Sequence, residues 1–196
     1  MTDQPTRKQR DLDRYRREIL AAAVALFAEH GYHQTTMQTI AERAEFSVGY
    51  LYKHFAGKED MYREVVRQHI DQLDAIIADA RAQGLSPLAE LHLTYTGICR
   101  HFDAHRDFMR IFGQEIGGDF PELASSRQRH LDDVVGLLWR AQQAGELGEV
   151  DVRLLGAAVH GMTRALFAEL ALRDGDRPFA GLPDLVFRLV LDPLRP

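Results

Sequence analysis

The stretch Thr35–Lys58, TTMQTIAERAEFSVGYLYKHFAGK, decides how the whole chain is read. It divides into two short amphipathic segments. In the first, Ile40, Ala41 and Ala44 share one face, opened by a capping box in which Thr35 is the cap and Gln38 reaches back. In the second, Val48, Leu51 and Phe55 share a face behind Ser47, a residue type that favours the N-cap. Glu45-Phe46 leaves room only for a tight turn between them. Ala41 is small where the two helices cross, and Phe46 and Leu51 plug the corner. Two short helices joined in this way form a helix-turn-helix, whose second helix enters the major groove of DNA. Its outer face offers Tyr50, Lys53 and His54, and Tyr52 can turn its hydroxyl outward. Hydroxyls and cations of this kind suit phosphate oxygens, as do the free amides at helix N-termini beginning at Thr36 and Ser47. Plain packing units also take this form, and a Tyr/Lys/His cluster is often a solvated face, so periodicity alone leaves both readings open.

Upstream, Tyr15, Ile19, Leu20, Ala23, Leu26 and Phe27 recur at three- and four-residue spacings, one apolar stripe that Gly31 ends with a left-handed cap. Residues 1–11 are polar and are expected to be mobile. Downstream, Ala56-Gly57 breaks the chain, and a fourth helix follows with Glu59 and Asp60 in its first turn, where negative charge suits the macrodipole. It ends near Gln83-Gly84, and Ser86-Pro87 opens a fifth, cap followed by proline. A short helix is expected over Arg106–Glu115. After the break at Gly117–Pro121 comes another, reaching about Gln143. Asp151 caps the next, which runs to about Arg173, and a last one spans Asp184–Leu191 after a Gly/Pro-rich loop. No stretch alternates with period two for long enough to suggest a strand. The fold class expected is all-α, with about nine helices.

Composition sets the outer bounds. The chain has 196 residues, 45% hydrophobic and 27% charged, a globular balance with material for one domain of moderate size or for a small one joined to a larger one. The single cysteine, Cys99, excludes an intrachain disulfide framework and fits a reducing cytoplasm. The longest apolar run, Ile19–Ala28, is far below the ~20 residues of a membrane helix. No leader pattern is visible, so a cytoplasmic location is expected. The net charge of −5 argues at first against nucleic acid, but it is unevenly spread. Between Pro5 and Lys58 nine basic residues face six acidic ones, whereas the remainder from Glu59 onward carries −7. A mildly basic head on an acidic body is compatible with DNA binding by the head.

The run closely resembles the DNA-binding signature of the TetR family of transcription regulators. The matching elements are Phe27, Gly31-Tyr32, Thr35-Thr36, Ile40-Ala41, Ala44, Ser47 and Gly49-x-Leu51-Tyr52-x-x-Phe55-x-x-Lys58-Glu59. The resemblance covers Tyr15 to about Val65; beyond it only helical layout and length are similar. It implies a recognition helix in which Thr36, Ser47, Tyr52, His54 and Lys58 meet phosphates, while Val48, Gly49, Tyr50 and Lys53 face bases or the groove. An arm of Arg7, Lys8 and Arg10 is expected either to reach phosphate or the minor groove, or simply to aid solubility. The sequence departs from the pattern at Glu45, where a glycine is usual and a turn conformation costing ~1 kcal/mol is implied, and at the bulky Tyr50.

The resemblance further implies a DNA-binding domain over residues 1–58 and an effector-binding and dimerisation domain over 59–196. Such a protein represses transcription as a homodimer on palindromic operator DNA and is released by a small apolar ligand. Dimerisation is expected through the last two helices, where Gly156, Ala157 and Gly161 permit close approach. A cavity is expected among His92, Tyr95, Thr96, Cys99, Phe102, Phe108, Phe112, Leu138, Trp139 and His160, an apolar set with scattered polar groups. An ordinary aromatic core fits each of these residues equally well.

Other classes are weaker. Neither a catalytic triad order nor a glycine-rich phosphate loop is present, so no enzyme, cofactor or metal centre is expected. His101 and His105 stand four residues apart with Asp103 nearby, a spacing that suits Zn²⁺, but the third ligand is unnamed. A metal-sensing or protein-interaction helical module is thus the alternative.

Overall fold

The computed structural model describes residues 6–113, 121–173 and 177–196, and among them every regular element is helical, as the sequence leads one to expect. Nine α-helices are present among the described residues. The chain divides into two compact units, one ending at Gln68 and one beginning at His69.

The first unit holds α1 (Arg7–His30), α2 (Met37–Arg43), α3 (Val48–Tyr52) and the start of α4 (Lys58–Ala82). α1 begins earlier than its apolar stripe suggests. Thr6 and Gln9 form a reciprocal capping box, Thr6 N–H donating to Gln9 Oε1 at 2.7 Å and Gln9 N–H to Thr6 Oγ1 at 3.3 Å. The arm residues Arg7, Lys8 and Arg10 are therefore helical and exposed rather than part of a mobile lead. The stripe Ile19, Leu20, Ala23, Leu26 and Phe27 is buried, and Gly31 ends the helix at φ +80°, its N–H bonded to Phe27 O.

The cap of α2 falls one residue later than the sequence reading placed it. Thr36 is the N-cap, and its partner in the box is Thr39, not Gln38, which instead donates to Glu42. Thr35 is buried, and its hydroxyl donates to the carbonyls of Leu26 and Gly31, tying α2 to the end of α1. Between α2 and α3, Glu45 takes φ +59°, the only positive φ at a non-glycine residue among those described. Phe46 N–H then closes the turn on Ala41 O at 2.9 Å. An L-residue pays for this left-handed conformation. Glu45→Gly is expected to raise the stability of the first unit by about 0.5–1 kcal/mol, read by denaturant unfolding of the full chain. The core also takes in Ile40, Leu51, Phe55, Met61 and Tyr62. Arg16 of α1 and Glu64 of α4 close it with a two-pronged ion pair. A further bond runs from Arg16 Nη1 to His54 O, and the guanidinium lies over the Phe55 ring at 4.3 Å.

The second unit contains His69–Ala82 of α4, α5 (Pro87–Ala104), α6 (Arg106–Gly113), α7 (Pro121–Gln143), α8 (Val152–Arg173) and α9 (Leu182–Val186). α9 starts two residues before the expected Asp184 and continues as a π-turn over Phe187–Leu191. A core of Leu88, Leu91, Leu137, Leu138, Leu155, Val159, Val186 and Leu191 joins α5, α7, α8 and the chain end. Gly156 belongs to this packing: a Cβ there would stand 2.6 Å from Val135 Cγ2, so α7 and α8 meet only because the side chain is missing. Ser86 precedes α5, but its hydroxyl makes no cap bond; Glu146 accepts from Ser86 Oγ and from Leu88 N and caps the helix from across the unit. Asp151 caps α8, accepting from Arg153 N and Leu154 N. The buried Glu90 carboxylate is held by Arg140 at 3.0 Å, with Arg81 3.8 Å away. The expected break at Gly117–Pro121 and the start of the Gly/Pro-rich loop lie largely outside the described residues. No helix among the described residues is long and apolar enough to cross a membrane.

Candidate nucleic-acid interface and ligand cavity

Ser47 sets the start of α3: its side chain accepts from Tyr50 N–H at 3.2 Å. The α-helix proper is only five residues long, and Lys53 and His54 continue it as turns, short of the expected run to Phe55. Leu51 and Phe55 point into the core, which forces the intervening residues outward. Ser47, Gly49, Tyr52 and Lys53 are exposed, Tyr52 at 57%. Val48, Tyr50 and His54 are half-buried. Tyr50 stacks on Phe46 with ring centroids 5.1 Å apart, meets Tyr15 edge-on at 6.5 Å and lies 4.7 Å from His54. The bulk of Tyr50 thus serves an aromatic cluster that braces the turn, leaving part of the ring at the surface. Thr36 is exposed at the start of α2.

Lys58 sits differently from the other sequence candidates. Its Nζ donates to the carbonyls of Tyr32 at 2.7 Å, Thr35 at 2.9 Å and His33 at 3.1 Å, and lies 4.6 Å from the Tyr32 ring centroid. An ammonium has three protons, and all three are used on the α1–α2 loop. Burial pushes its pKa below the ordinary value of 10.5. These contacts make Lys58 a clamp on that loop. Lys58→Met is expected to leave the three carbonyls without their donor and cost about 2 kcal/mol in denaturant unfolding. An unchanged midpoint with weakened DNA binding would mark Lys58 as a phosphate contact instead.

The second unit encloses a cavity of about 590 Å³ walled by α4, α5, α6, α7 and α8. Ile70, Leu73 and Ile77 of α4 and Leu91 and Ile98 of α5 supply an apolar wall; Arg127, His130, Asp133, His160 and Arg164 of α7 and α8 supply a polar one. Thr94 and Tyr95 line this space; their hydroxyls are buried with no hydrogen-bond partner among the described residues, and burial pushes the Tyr95 phenol up to about 12.

Of the residues read from sequence, Tyr95, Phe102, Phe108 and His160 line the cavity. Others are placed elsewhere. Leu138 is fully buried in the core; Trp139 is 55% exposed. His92 pairs with Asp184, and Thr96 Oγ1 donates to His92 O. Cys99 is buried, with its thiol pushed up to about 12 by burial, so it stays protonated. The Phe112 side chain lies outside the described residues. The sequence reading missed Thr94, Phe167 and the α4 wall; Ile70, Leu73 and Ile77 sit on the apolar stripe of α4, where helical spacing looks the same whether a side chain fills a core or borders a cavity.

His101 and His105 do lie close together, with ring centroids 4.4 Å apart, and His69 of α4 joins them at 5.0 and 4.9 Å. Asp103 does not: it accepts from Arg106 and from Phe179 N–H.

The first unit thus holds a capped helix-turn-helix with an outward polar face, and the second, taken by itself, holds a cavity. Residues 19–65 match the family model of bacterial regulatory proteins of the tetR family. Over that stretch the chain is similar to the DNA-binding part of the TetR family. It is 36% identical over 101 residues to the HTH-type transcriptional repressor KstR2 of Rhodococcus jostii, a stretch covering 52% of this chain and 50% of that protein. The chain therefore spans about half the length of the KstR2 repressor it matches. A fatty acid metabolism regulator protein of Bacillus subtilis is 26% identical over 186 residues, 89% of this chain and 92% of its own length. The solved structure of the ketosteroid transcriptional regulator KstR2 of Mycobacterium tuberculosis superposes with a TM-score of 0.77 at 25% identity, covering 92% of this chain and 95% of that one. These relatives are regulators of transcription, not enzymes.

Proposed function

We propose that this protein is a transcriptional repressor that grips palindromic operator DNA as a homodimer and leaves it when a small, largely apolar ligand enters the cavity. The observation that carries the reading is the outward face of α3, Tyr52 and Lys53 exposed behind the Ser47 cap, inside the stretch that matches the family. Tyr52, Lys53, Thr36 and Ser47 are assigned to phosphate and groove contacts, with Val48, Gly49, Tyr50 and His54 completing the reading surface. Lys58 is assigned to holding the α1–α2 loop.

Two recognition helices must meet successive major grooves about one DNA turn apart, so a twofold assembly is required. Its surface is assigned to α8 and the chain end. Leu154, Ala158, Gly161 and Ala165 form an exposed stripe along α8; Leu154 is 71% exposed, and Leu189 is exposed beside the C-terminus. Small and apolar residues at this spacing suit close helix–helix packing. Ala157 and Gly161 are open at the surface, whereas Gly156 is used inside the chain.

The cavity suits a lipid-like molecule. An apolar body fits the α4–α5 wall, and a polar, acidic head fits the basic groups on α7 and α8 and the unpartnered hydroxyls of Thr94 and Tyr95. The names of the relatives, concerned with fatty acids and ketosteroids, point the same way. Release requires that the ligand prefer the conformation unable to dock on DNA. α4 is the element proposed to carry the change, since its second half lines the cavity and its first half belongs to the DNA-binding unit. Selection of bound duplexes from a random pool tests the core of the reading. A palindrome with half-sites one turn apart is expected; enrichment of no sequence, or of a single half-site, would overturn it.

A further inference from the structure

Three histidines converge where α4 passes the end of α5. His69 Nδ1 and His101 Nε2 lie 2.8 Å apart, and both rings are buried. His105, the most exposed of the three, turns its Nδ1 to the carbonyl of His101 at 2.7 Å. One ligand nitrogen from each ring lies within 4.8 Å of the other two. Three adjacent imidazoles are an unusual way to fill an interior, because each brings polar nitrogens that need partners.

We propose that His69, His101 and His105 form a binding site for a late first-row divalent metal ion, with Zn²⁺ as the probe. Three imidazoles at these positions match the donor set of a three-histidine zinc site, and a tetrahedral ion with bonds of about 2.0–2.1 Å would bring the nitrogens to about 3.3 Å from one another. The bond from His105 Nδ1–H to the His101 carbonyl holds the ring in the tautomer that leaves Nε2 free as a ligand, an arrangement that recurs behind metal-bound histidines. Phe108 stacks on His69 with centroids 3.8 Å apart and shields that side of the site. His69 and Phe108 also line the cavity, so the cluster borders that space.

Burial, reinforced by the neighbouring imidazoles, lowers the pKa of His69 to about 3 and of His101 to about 4, so both rings are neutral at neutral pH, the state a metal requires. The proton shared by His69 and His101 must leave the space between them. It passes through solvent to the far nitrogen of its own ring, so both rings stay neutral and no net proton is released.

The site does not depend on the proposed repressor function, and its test uses the purified full chain, stripped with chelator and free of any tag. One equivalent of Zn²⁺ is expected to bind and to survive gel filtration, read by elemental analysis and calorimetry. Co²⁺ is expected to give the intense visible bands of a tetrahedral site. His69→Gln and His105→Gln are each expected to weaken zinc binding about 100-fold or more, and His30→Gln, at an exposed position, to leave it unchanged. Circular dichroism of the metal-free variants checks that they fold; should His69→Gln fail, the more exposed His105→Gln carries the comparison. No retained zinc, only the pale spectrum of octahedral cobalt, or binding undiminished in the folded variants would overturn the assignment.

Discussion

Lowering the pH from 7 to 5 is expected to take on the order of 3 kcal/mol from the stability of the second unit in the absence of metal, through His69 and His101 alone. Their folded pKa values of about 3 and about 4 lie below the ordinary 6.5, chiefly because burial disfavours the charged ring. A group whose folded pKa is depressed contributes its full stability above the unfolded value and loses it as the pH falls toward the folded one. The unfolded chain takes up the protons first, so the loss builds from about pH 6.5 downward, levelling off near pH 4 for His101 and near pH 3 for His69. Protonation of either ring would also set two cations 2.8 Å apart once the second followed. Urea unfolding followed by Trp139, the single tryptophan, which lies in this unit, reads the effect. Subtracting the profile of a His69→Gln/His101→Gln double variant isolates it from the carboxylates. Parallel profiles for the two proteins would show that the histidines do not carry the pH dependence.

Arg16→Met is expected to destabilise the first unit by about 3 kcal/mol, the scale for leaving a buried charge without its partner. Glu64 is only 8% exposed, and the Arg16 guanidinium is its two-pronged partner as well as the donor to His54 O. The hydrogen bond with Glu64 raises the Arg16 pKa further, so the guanidinium stays charged. Gln68 donates to the same carboxylate at 3.2 Å but cannot neutralise it. The double variant Arg16→Met/Glu64→Met is expected to recover most of the loss, because it removes the stranded carboxylate as well. A single-variant cost below ~1 kcal/mol, typical of a solvated pair, would show that this contact does not hold α1 and α4 together. The end of α3 depends on it too, through the His54 carbonyl.

Much of the first unit can be read from the sequence because its signals are local. The Ser47 cap, the stripe of α1, the glycine at position 31 and the strained turn at Glu45 each follow from residues a few positions apart. The errors there are of register and of partner choice. Thr35 and Thr36 are chemically alike, and only burial of the first, with its hydroxyl turned back to Leu26 and Gly31, assigns the cap to the second. Lys58 reads as a surface cation in sequence, since the three carbonyls that hold it are 23–26 residues earlier.

The second unit is legible as helices but not as a cavity. His101 and His105 announce themselves by their spacing, while His69, 32 residues before His101, meets them only through the crossing of α4 and α5. Trp139 and Leu138 are neighbours in sequence, yet one faces solvent and the other the core, and an apolar count cannot separate them from Phe102, which borders the cavity. Aromatic composition marks the region; the position of the helix axes decides which side chains border open space.

The claim on which the functional account rests is that α3 presents Tyr52 and Lys53 to DNA from each protomer of a pair. Titrating the selected palindrome with the wild-type chain and with Tyr52→Ala/Lys53→Ala over a range of salt concentrations tests it most directly. Both side chains are exposed, so the variant is expected to unfold at the wild-type midpoint. It is expected to lose about 100-fold or more in affinity, with a salt slope shallower by about 2, one released counterion for each lysine of the dimer. Unchanged affinity and slope in a folded double variant would contradict the account.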